Sequence, residues 1–507
     1  MNKCMTSISI SNFTLATMLN VLSIAIASLV IFTLGVACAG QRKRLDVVEK
    51  LNGPVTVPYF LPWFGSFFAF NQDPLKFFKL CHQRYGKIYK VLLAGKKIVV
   101  VAHPDGITSL NRDTNKNLTN SAVFAIMMRG ISNFNPSNVD YIHQVMDQRI
   151  FPITKRTLSP ALMGQVTQSV EGSLRKELLA LCSGEPRSPR RLKLPELIGR
   201  PLYISNCAAL FGFRYPSLNT FSDFELLDSG LPQILTRLPF VARRSLDARG
   251  RLLSVLMEYI SSWWESDGVE DIPGASTLVM ESLKEMKVSK LSKRDAAGVL
   301  LLFLWGFHSN MWYMLFWLVT HLIMDEESMG RLVDEVDACA RTDAPVHDGK
   351  KALSLLESAI SETLRWATTS STVRFAEEDT EIIVDGSVVV INKGEYVVGD
   401  IRAAHHDRSI FEHPEEFILD RYLVKDDSKT VLPRPMVWGA GKHVCAGRHV
   451  AVHLMRRFMV ECLSMYDIKA ANSGPGGKKL PRISAKSFIG SLKPNDEVHV
   501  TITARKV

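Results

Sequence analysis

Paired cysteines are missing from this chain. Its 507 residues carry eight cysteines, at positions 4, 38, 81, 182, 207, 339, 445 and 462, and none stands in a Cys-x-x-Cys spacing. That excludes a small disulfide-stapled scaffold and points to a reducing compartment in which the thiols stay free. No internal repeat is present, and no aromatic-basic recognition pattern accompanies the scattered Lys and Arg, so nucleic acid is not the expected partner. Charge is absent altogether between Met5 and Gly40. What the chain does have is length for several ordinary domains or one large single-core enzyme. At 46% hydrophobic and 22% charged, with mean hydropathy +0.06, it is too apolar for disorder. Its formal net charge of +10 and pI near 9.1 favour an acidic partner or an anionic membrane surface.

The extra apolar weight sits at the N-terminus. Phe13 to Ala39 is apolar apart from scattered Ser, Thr and Asn20, and as a helix of 27 residues it would reach about 40 Å, enough to cross a hydrocarbon core of about 30 Å. Gln41-Arg42-Lys43-Arg44 follows it against a single Lys3 before it, which places the body in the cytosol by the positive-inside rule. The competing reading is a cleaved secretory signal, for which Ala37-Cys38-Ala39 offers a cleavage site; the length of the apolar run and the position of the charges favour an uncleaved anchor. Residues 1–44 are therefore expected to be the membrane anchor with its basic stop, and 45–65, with Gly53, Pro54, Pro58 and Pro62, a stiff hinge.

In the body, Lys87–Leu93, Ala94-Gly95 and Lys96–Val101 read as a β-hairpin. Most of the stretch from Asp140 to about Ser371 reads as helices broken by Gly-Pro-Ser clusters. The run Leu291 to Asp325, capped by Ser292, is apolar nearly all round and belongs in the middle of a large domain. It is interrupted by Gly306, His308, Ser309 and Asn310. The segment Glu497–Thr503 alternates as a strand does. The expected class is mainly α with small peripheral β-sheets.

The chemistry-bearing stretch is Trp438-Gly439-Ala440-Gly441-Lys442-His443-Val444-Cys445-Ala446-Gly447. Gly439 and Gly441 permit a backbone turn passing close to a flat ligand, and Gly447 lets the next helix, from about Ala446 to Met465, begin tight against it. A Cys445 thiolate there receives backbone N–H groups and the positive end of that helix, which suits a soft metal. Taken alone, Cys445 reads more readily as a buried core thiol and the glycines as an ordinary loop. The stretch resembles the cysteine-ligand loop of the cytochrome P-450 haem-thiolate family: Trp438, Gly439, Gly441, Cys445 and Gly447 match, with Trp438 in place of the usual Phe and His443 in place of the usual Arg. The resemblance extends to Ser361-Glu362-Thr363-Leu364-Arg365, a Glu-x-x-Arg pair on one helix face, and to His413–Leu423, whose Arg421 completes a buried structural triad with Glu362 and Arg365 in that family. It implies haem b as cofactor with Cys445 as axial ligand and His443 at the position of a propionate contact. Arg374 falls at another propionate position. Lys155 and Arg156 are possible further partners, although a basic surface position explains both. Residues 66–507 would then be one haem-thiolate catalytic domain carrying a single-pass anchor in the endoplasmic reticulum membrane.

In most members of that family the central helix carries a small residue, Gly, any residue, an acid and Thr. Here Gly306 takes the small position, Ser309 the acid and Asn310 the Thr, so the usual acid–alcohol proton pair is missing. Asn310 hydrogen-bonds without ionising, and His308 either titrates nearby or is simply satisfied among neighbouring helices. Leu304-Trp305, Asn310-Met311, Phe316-Trp317-Leu318 and Trp438–Gly441 resemble the branch containing prostacyclin synthase and the sterol 7α- and 12α-hydroxylases. The resemblance implies a membrane-anchored monooxygenase acting on a lipophilic sterol, terpenoid or other hydrophobic secondary metabolite, with electrons from an NADPH-dependent flavoprotein reductase docked on a basic face containing Lys442, Arg448, Arg456 and Arg457. A peroxide isomerase without external electrons, and a non-catalytic haem-binding membrane protein, remain alternatives.

Overall fold

The axis of the molecule is a helix from Lys293 to Met324, opened by Ser292, whose Oγ accepts the backbone N–H of Asp295 at 3.0 Å. With no polar stripe it cannot sit at a surface, and most of its side chains are buried. In this computed structural model, helices Ser121–Ser132, Arg200–Phe211, Pro239–Tyr259, Glu326–Ala340, Ser354–Ala367 and Arg448–Met465 pack around it, and their apolar faces form one core. Among the described residues it is the one helix long and apolar enough to cross a membrane, but its burial makes it the core of the domain. The described residues are 53–112, 116–181, 188–235, 239–266, 270–341, 353–423, 432–441, 444–471 and 479–505. The expected anchor at 1–44, the first part of the hinge, Lys442 and His443 lie outside them.

Among the described residues ten strands form three peripheral sheets: β1 Ile88–Leu93, β2 Lys96–Val101, β3 Leu118–Thr119, β4 Arg190–Lys193, β5 Ser371–Ala376, β6 Thr380–Val384, β7 Ser387–Ile391, β8 Tyr396–Asp400, β9 Tyr466–Ala470 and β10 His499–Ala504. The largest has the order β1-β2-β8-β5-β3. Its β1–β2 hairpin turns through Ala94 at φ 49° and Gly95 at φ 79°, the two positive angles that a two-residue turn matching strand twist demands. Strand β2 runs parallel to β8, and β5 antiparallel to it. The order β4-β10-β9 makes the second sheet and β6–β7 the third.

The mainly α class with small sheets agrees with the sequence, as do the hairpin, the central helix and its cap. The expected C-terminal strand begins two residues later, at His499. The stretch read mostly as helices also holds one strand, β4, because Arg190–Lys193 pairs with β10 from the far end of the chain, a partner local periodicity does not reveal.

Just before β10, residues 489–493 thread back into the core. Leu492 N–H donates to Ala367 O at 2.8 Å and Thr369 N–H to Gly490 O at 2.9 Å. The buried Trp317 indole donates to Leu492 O at 2.8 Å.

Candidate active site

The cysteine loop takes the form its glycines allow. Gly439 and Gly441 adopt φ of 67° and 59°, left-handed angles that a side chain disfavours. Cys445 N–H donates to Trp438 O at 2.7 Å, drawing the loop closed. Gly447 ends it as the residue before the helix Arg448–Met465, where an added Cβ would stand 3.9 Å from Cys445 Sγ. The thiol is accessible to solvent, yet burial raises its pKa, opposed by the backbone N–H groups of Gly447 and Arg448 and by the Arg448 charge. Accessibility together with desolvation describes the wall of a recess rather than a convex surface. The opposing groups are those that would hold a thiolate. Among the described residues Cys81, Cys207, Cys339, Cys445 and Cys462 form no disulfide, and Cys445 alone of these is not buried.

On the central helix, Gly306 and Asn310, one turn apart, are exposed although the flanking turns are buried. A Cβ at Gly306 would meet no atom within 4 Å. Asn310 Oδ1 accepts from Ser491 Oγ at 3.4 Å and lies so close to Gly490, at φ 75°, that a Cβ there would approach it to 2.1 Å. Ser309 is turned away from these two: it is 3% exposed, and its hydroxyl donates to Asp228 Oδ1 at 2.5 Å. His308 is also buried, among Tyr203, Phe221 and Phe224, and burial pulls its pKa down to about 3. It is held neutral among its neighbours rather than poised to titrate. Asp228 was not legible as a site residue, because the helix Ser217–Leu235 carries several polar positions and nothing in its spacing singles this one out.

Glu362, Arg365 and Arg421 come together. Glu362 and Arg365 are wholly buried; Arg365 donates to both Glu362 oxygens, at 2.7 and 2.8 Å, and Arg421 Nε donates to Glu362 Oε1 at 2.9 Å. The remaining guanidinium hydrogens go to backbone carbonyls, Arg365 to His405, Pro414 and Glu416, and Arg421 to Glu412, His413 and Glu416. No charge of the three is left bare, which is what lets them persist in a core. Sequence reasoning missed the next link. His405 Nδ1 lies 3.2 Å from Arg365 O, while its Nε2 accepts the backbone N–H of Met436 at 2.9 Å, two residues before Trp438. Only a neutral ring protonated at Nδ1 makes both bonds. Burial first, then the Arg365 charge, lowers the His405 pKa to about 3 and secures that state.

Arg374 is half-buried, and its described hydrogen bonds reach neutral acceptors, Val373 O at 3.0 Å and Asn111 Oδ1 at 2.9 Å. Burial lowers its pKa, so a carboxylate placed beside it would meet a weakly solvated cation. Arg129 adds a buried Nε without a hydrogen-bond partner. By contrast Lys155 and Arg156 are exposed, and Arg156 pairs with Glu281, as a surface position would. Arg456 pairs with Glu357, and Arg457 with Glu171 at 3.2 Å and Glu461 at 3.0 Å. Of the expected basic docking face, Arg456 and Arg457 are thus paired within the chain itself, while Arg448 donates to the neutral Cys445 O at 3.1 Å. The recess-wall thiol with its surrounding N–H donors, the side-chain-free Gly306 and the half-buried arginines fit a flat, doubly anionic, thiolate-bound group such as haem.

The comparisons agree. The family description "Cytochrome P450" matches residues 55–495. The chain is 22% identical to mouse (Mus musculus) Cytochrome P450 7B1 over 477 residues, covering 89% of this chain and 91% of that one. It is 23% identical to rat (Rattus norvegicus) prostacyclin synthase over 485 residues, covering 88% and 92%. A 220-residue match, 26% identical, to rat 25-hydroxycholesterol 7-alpha-hydroxylase covers 40% of this chain and 52% of that protein. Carrying the glycine-bounded cysteine turn, the buried Glu-Arg-Arg cluster and a match over most of its length, the chain belongs to the cytochrome P-450 family of haem b, cysteine-thiolate monooxygenases.

Proposed function

We propose that this protein is a membrane-anchored monooxygenase that hydroxylates a lipophilic substrate of sterol or terpenoid type with dioxygen and electrons from an NADPH-dependent flavoprotein reductase. The observation that carries the reading is the Cys445 turn, a thiol on a recess wall cradled by Gly447 and Arg448 N–H groups. Cys445 is the axial ligand in this reading, and Arg374, with His443 and Arg129, meets the propionates. The bound haem supplies the redox chemistry that inserts one oxygen atom into a C–H bond.

The protein's own residues do the rest. Gly447 keeps the space beside the sulfur open, Gly306 leaves the opposite side free of side chain, and Asn310 presents an amide there without a charge. Glu362, Arg365 and Arg421 fix the segment behind the loop. The 27-residue apolar run at Phe13–Ala39 would hold the domain at the endoplasmic reticulum bilayer, where lipophilic substrates concentrate. Similarity to proteins named as a 7-alpha-hydroxylase of 25-hydroxycholesterol and as prostacyclin synthase supports a lipid substrate.

The test is substrate-dependent oxidation of NADPH in the presence of a reductase, with lipid extracts analysed for products. Conversion of an organic peroxide with no electron donor, and no NADPH oxidation, would turn the assignment to a peroxide isomerase. Cys445→Ala should abolish the thiolate-type spectrum of the ferrous carbon monoxide complex, and its persistence would overturn the ligand assignment.

A further inference from the structure

The helix Ser217–Leu235 and the central helix enclose a solvent-open cleft of about 400 Å3, walled by Ser222, Glu225 and Ser229 on the first and by His308, Trp312 and Tyr313 on the second. At about 100° per residue, His308 and Trp312 stand about 160° around the central helix from Gly306 and Asn310. The cleft therefore opens on another side of that helix than Gly306 and Asn310 do.

Its charges do not balance. Asp228, also on its wall and only 2% exposed, receives the Ser309 hydroxyl and the Trp305 indole on Oδ1 at 2.5 and 3.0 Å. Lys493 Nζ donates to its Oδ2 at 2.8 Å and to its backbone O at 2.6 Å. That carboxylate is neutralised. Glu225, one helical turn away and half-buried, has no hydrogen bond or ion pair from its carboxylate among the described residues. Burial and then the Asp228 charge raise its pKa, and no cation opposes them. His308 is held neutral and adds no charge. One negative charge is left in a half-buried setting, where it is costly until a cation meets it.

The walls suit an organic cation. Lys493 Nζ lies 5.1 Å from the centroid of the Tyr313 ring, so one aromatic ring of the cleft already holds an ammonium ion. A bare metal ion would need more ligands, and among the described residues no group of three or more His, Cys, Asp or Glu is placed to hold one.

We propose that this cleft is a second ligand site, separate from the haem recess, for an organic ammonium ion with an apolar body. The cation lies beside the Glu225 carboxylate, and the body rests on Trp312 and Tyr313. Binding there requires no step at the haem, so the site stands whether the chain is a monooxygenase or a peroxide isomerase.

The probe is benzyltrimethylammonium, whose quaternary nitrogen has no lone pair to offer the iron, titrated calorimetrically into the haem-loaded full chain. Saturable binding of one probe per chain is expected. Glu225→Gln keeps the volume and removes the charge, and because that carboxylate has no partner to lose, the variant should fold as the parent does. Its affinity for the probe should fall about tenfold or more, the scale of one half-buried charge contact. Glu225→Lys, which brings its own ammonium into the cleft, should abolish binding. In the unmodified protein the probe should leave the haem absorption band in place and should bind equally well when an azole occupies the iron. Unchanged affinity in Glu225→Gln would overturn the site, as would the lack of any saturable binding up to about 10 mM probe. A shifted haem band, or loss of probe binding on adding the azole, would put the probe in the haem recess and overturn it too.

Discussion

The backbone N–H of Met436 donates to Nε2 of His405 at 2.9 Å, so the strand of chain entering the cysteine loop hangs from the same imidazole that touches the carbonyl of Arg365. The Glu362–Arg365 pair and the loop are thereby joined through one neutral ring. His405→Phe leaves an N–H and a carbonyl unpaired in the interior, each costing about 1–3 kcal/mol. We expect a stability loss of about 2–4 kcal/mol by denaturant titration, together with reduced haem retention. A variant with full haem retention would show that the loop does not depend on this link.

Glu362→Gln keeps the volume and removes the charge between two guanidinium groups. Breaking a buried ion cluster from one side costs about 3–5 kcal/mol. Little or no folded, haem-loaded protein is expected at 37 °C. A melting temperature within a few degrees of the unmodified protein would mean that the backbone carbonyls around Arg365 and Arg421 suffice without the carboxylate.

His321 stacks on Phe417 with ring centroids 4.3 Å apart and planes at 7°, and its Nε2 has no hydrogen-bond partner. Burial lowers its pKa to about 3, whereas the unfolded chain titrates near 6.5, so between those values the unfolded state binds a proton that the folded state refuses. Stability is accordingly present above about pH 6.5 and is lost as the pH falls, at about 1.4 kcal/mol per pH unit for this residue. His308 and His405, also near 3, add to the slope. His321→Phe retains the stacking and should flatten the acid limb by about 1.4 kcal/mol per unit, measured as denaturation free energy against pH from 6.5 to 4.5. An unchanged slope would place the proton sensitivity elsewhere.

At Gly490 a side chain would meet Asn310 Oδ1 at 2.1 Å and would have to adopt φ of 75°. Gly490→Ala should cost about 1–3 kcal/mol in backbone strain and displace Asn310, visible as weakened spectral response to a bound ligand. Unaltered ligand response would separate Asn310 from the ligand-binding recess.

The sequence made the local features readable. Trp438–Gly447 is a continuous loop, so its turn and its cysteine could be read together, and Glu362 and Arg365 are one helical turn apart. Arg421 needed the family resemblance, because 59 residues separate it from Glu362. Asp228 and Lys493 were not readable at all. Asp228 meets Ser309 across 81 residues and Lys493 across 265, and each of the two charges looks like an ordinary solvated one in its own neighbourhood. Likewise, β4 gains its identity from β10, and His405 gains its place from hydrogen bonds to a carbonyl and an amide that carry no sequence signature. What pattern and spacing report is local; the energy that fixes a buried charge comes from whichever distant segment neutralises it.

The return of residues 489–493 into the core bears on how the gene can be shortened. A premature stop ahead of Gly490 would strip the acceptor from the Trp317 indole and the ammonium from Asp228, although every haem-loop residue would still be encoded. Such a product would be a substrate for proteolytic clearance, not a trimmed enzyme, and an expression tag is better appended after the last strand than substituted for it.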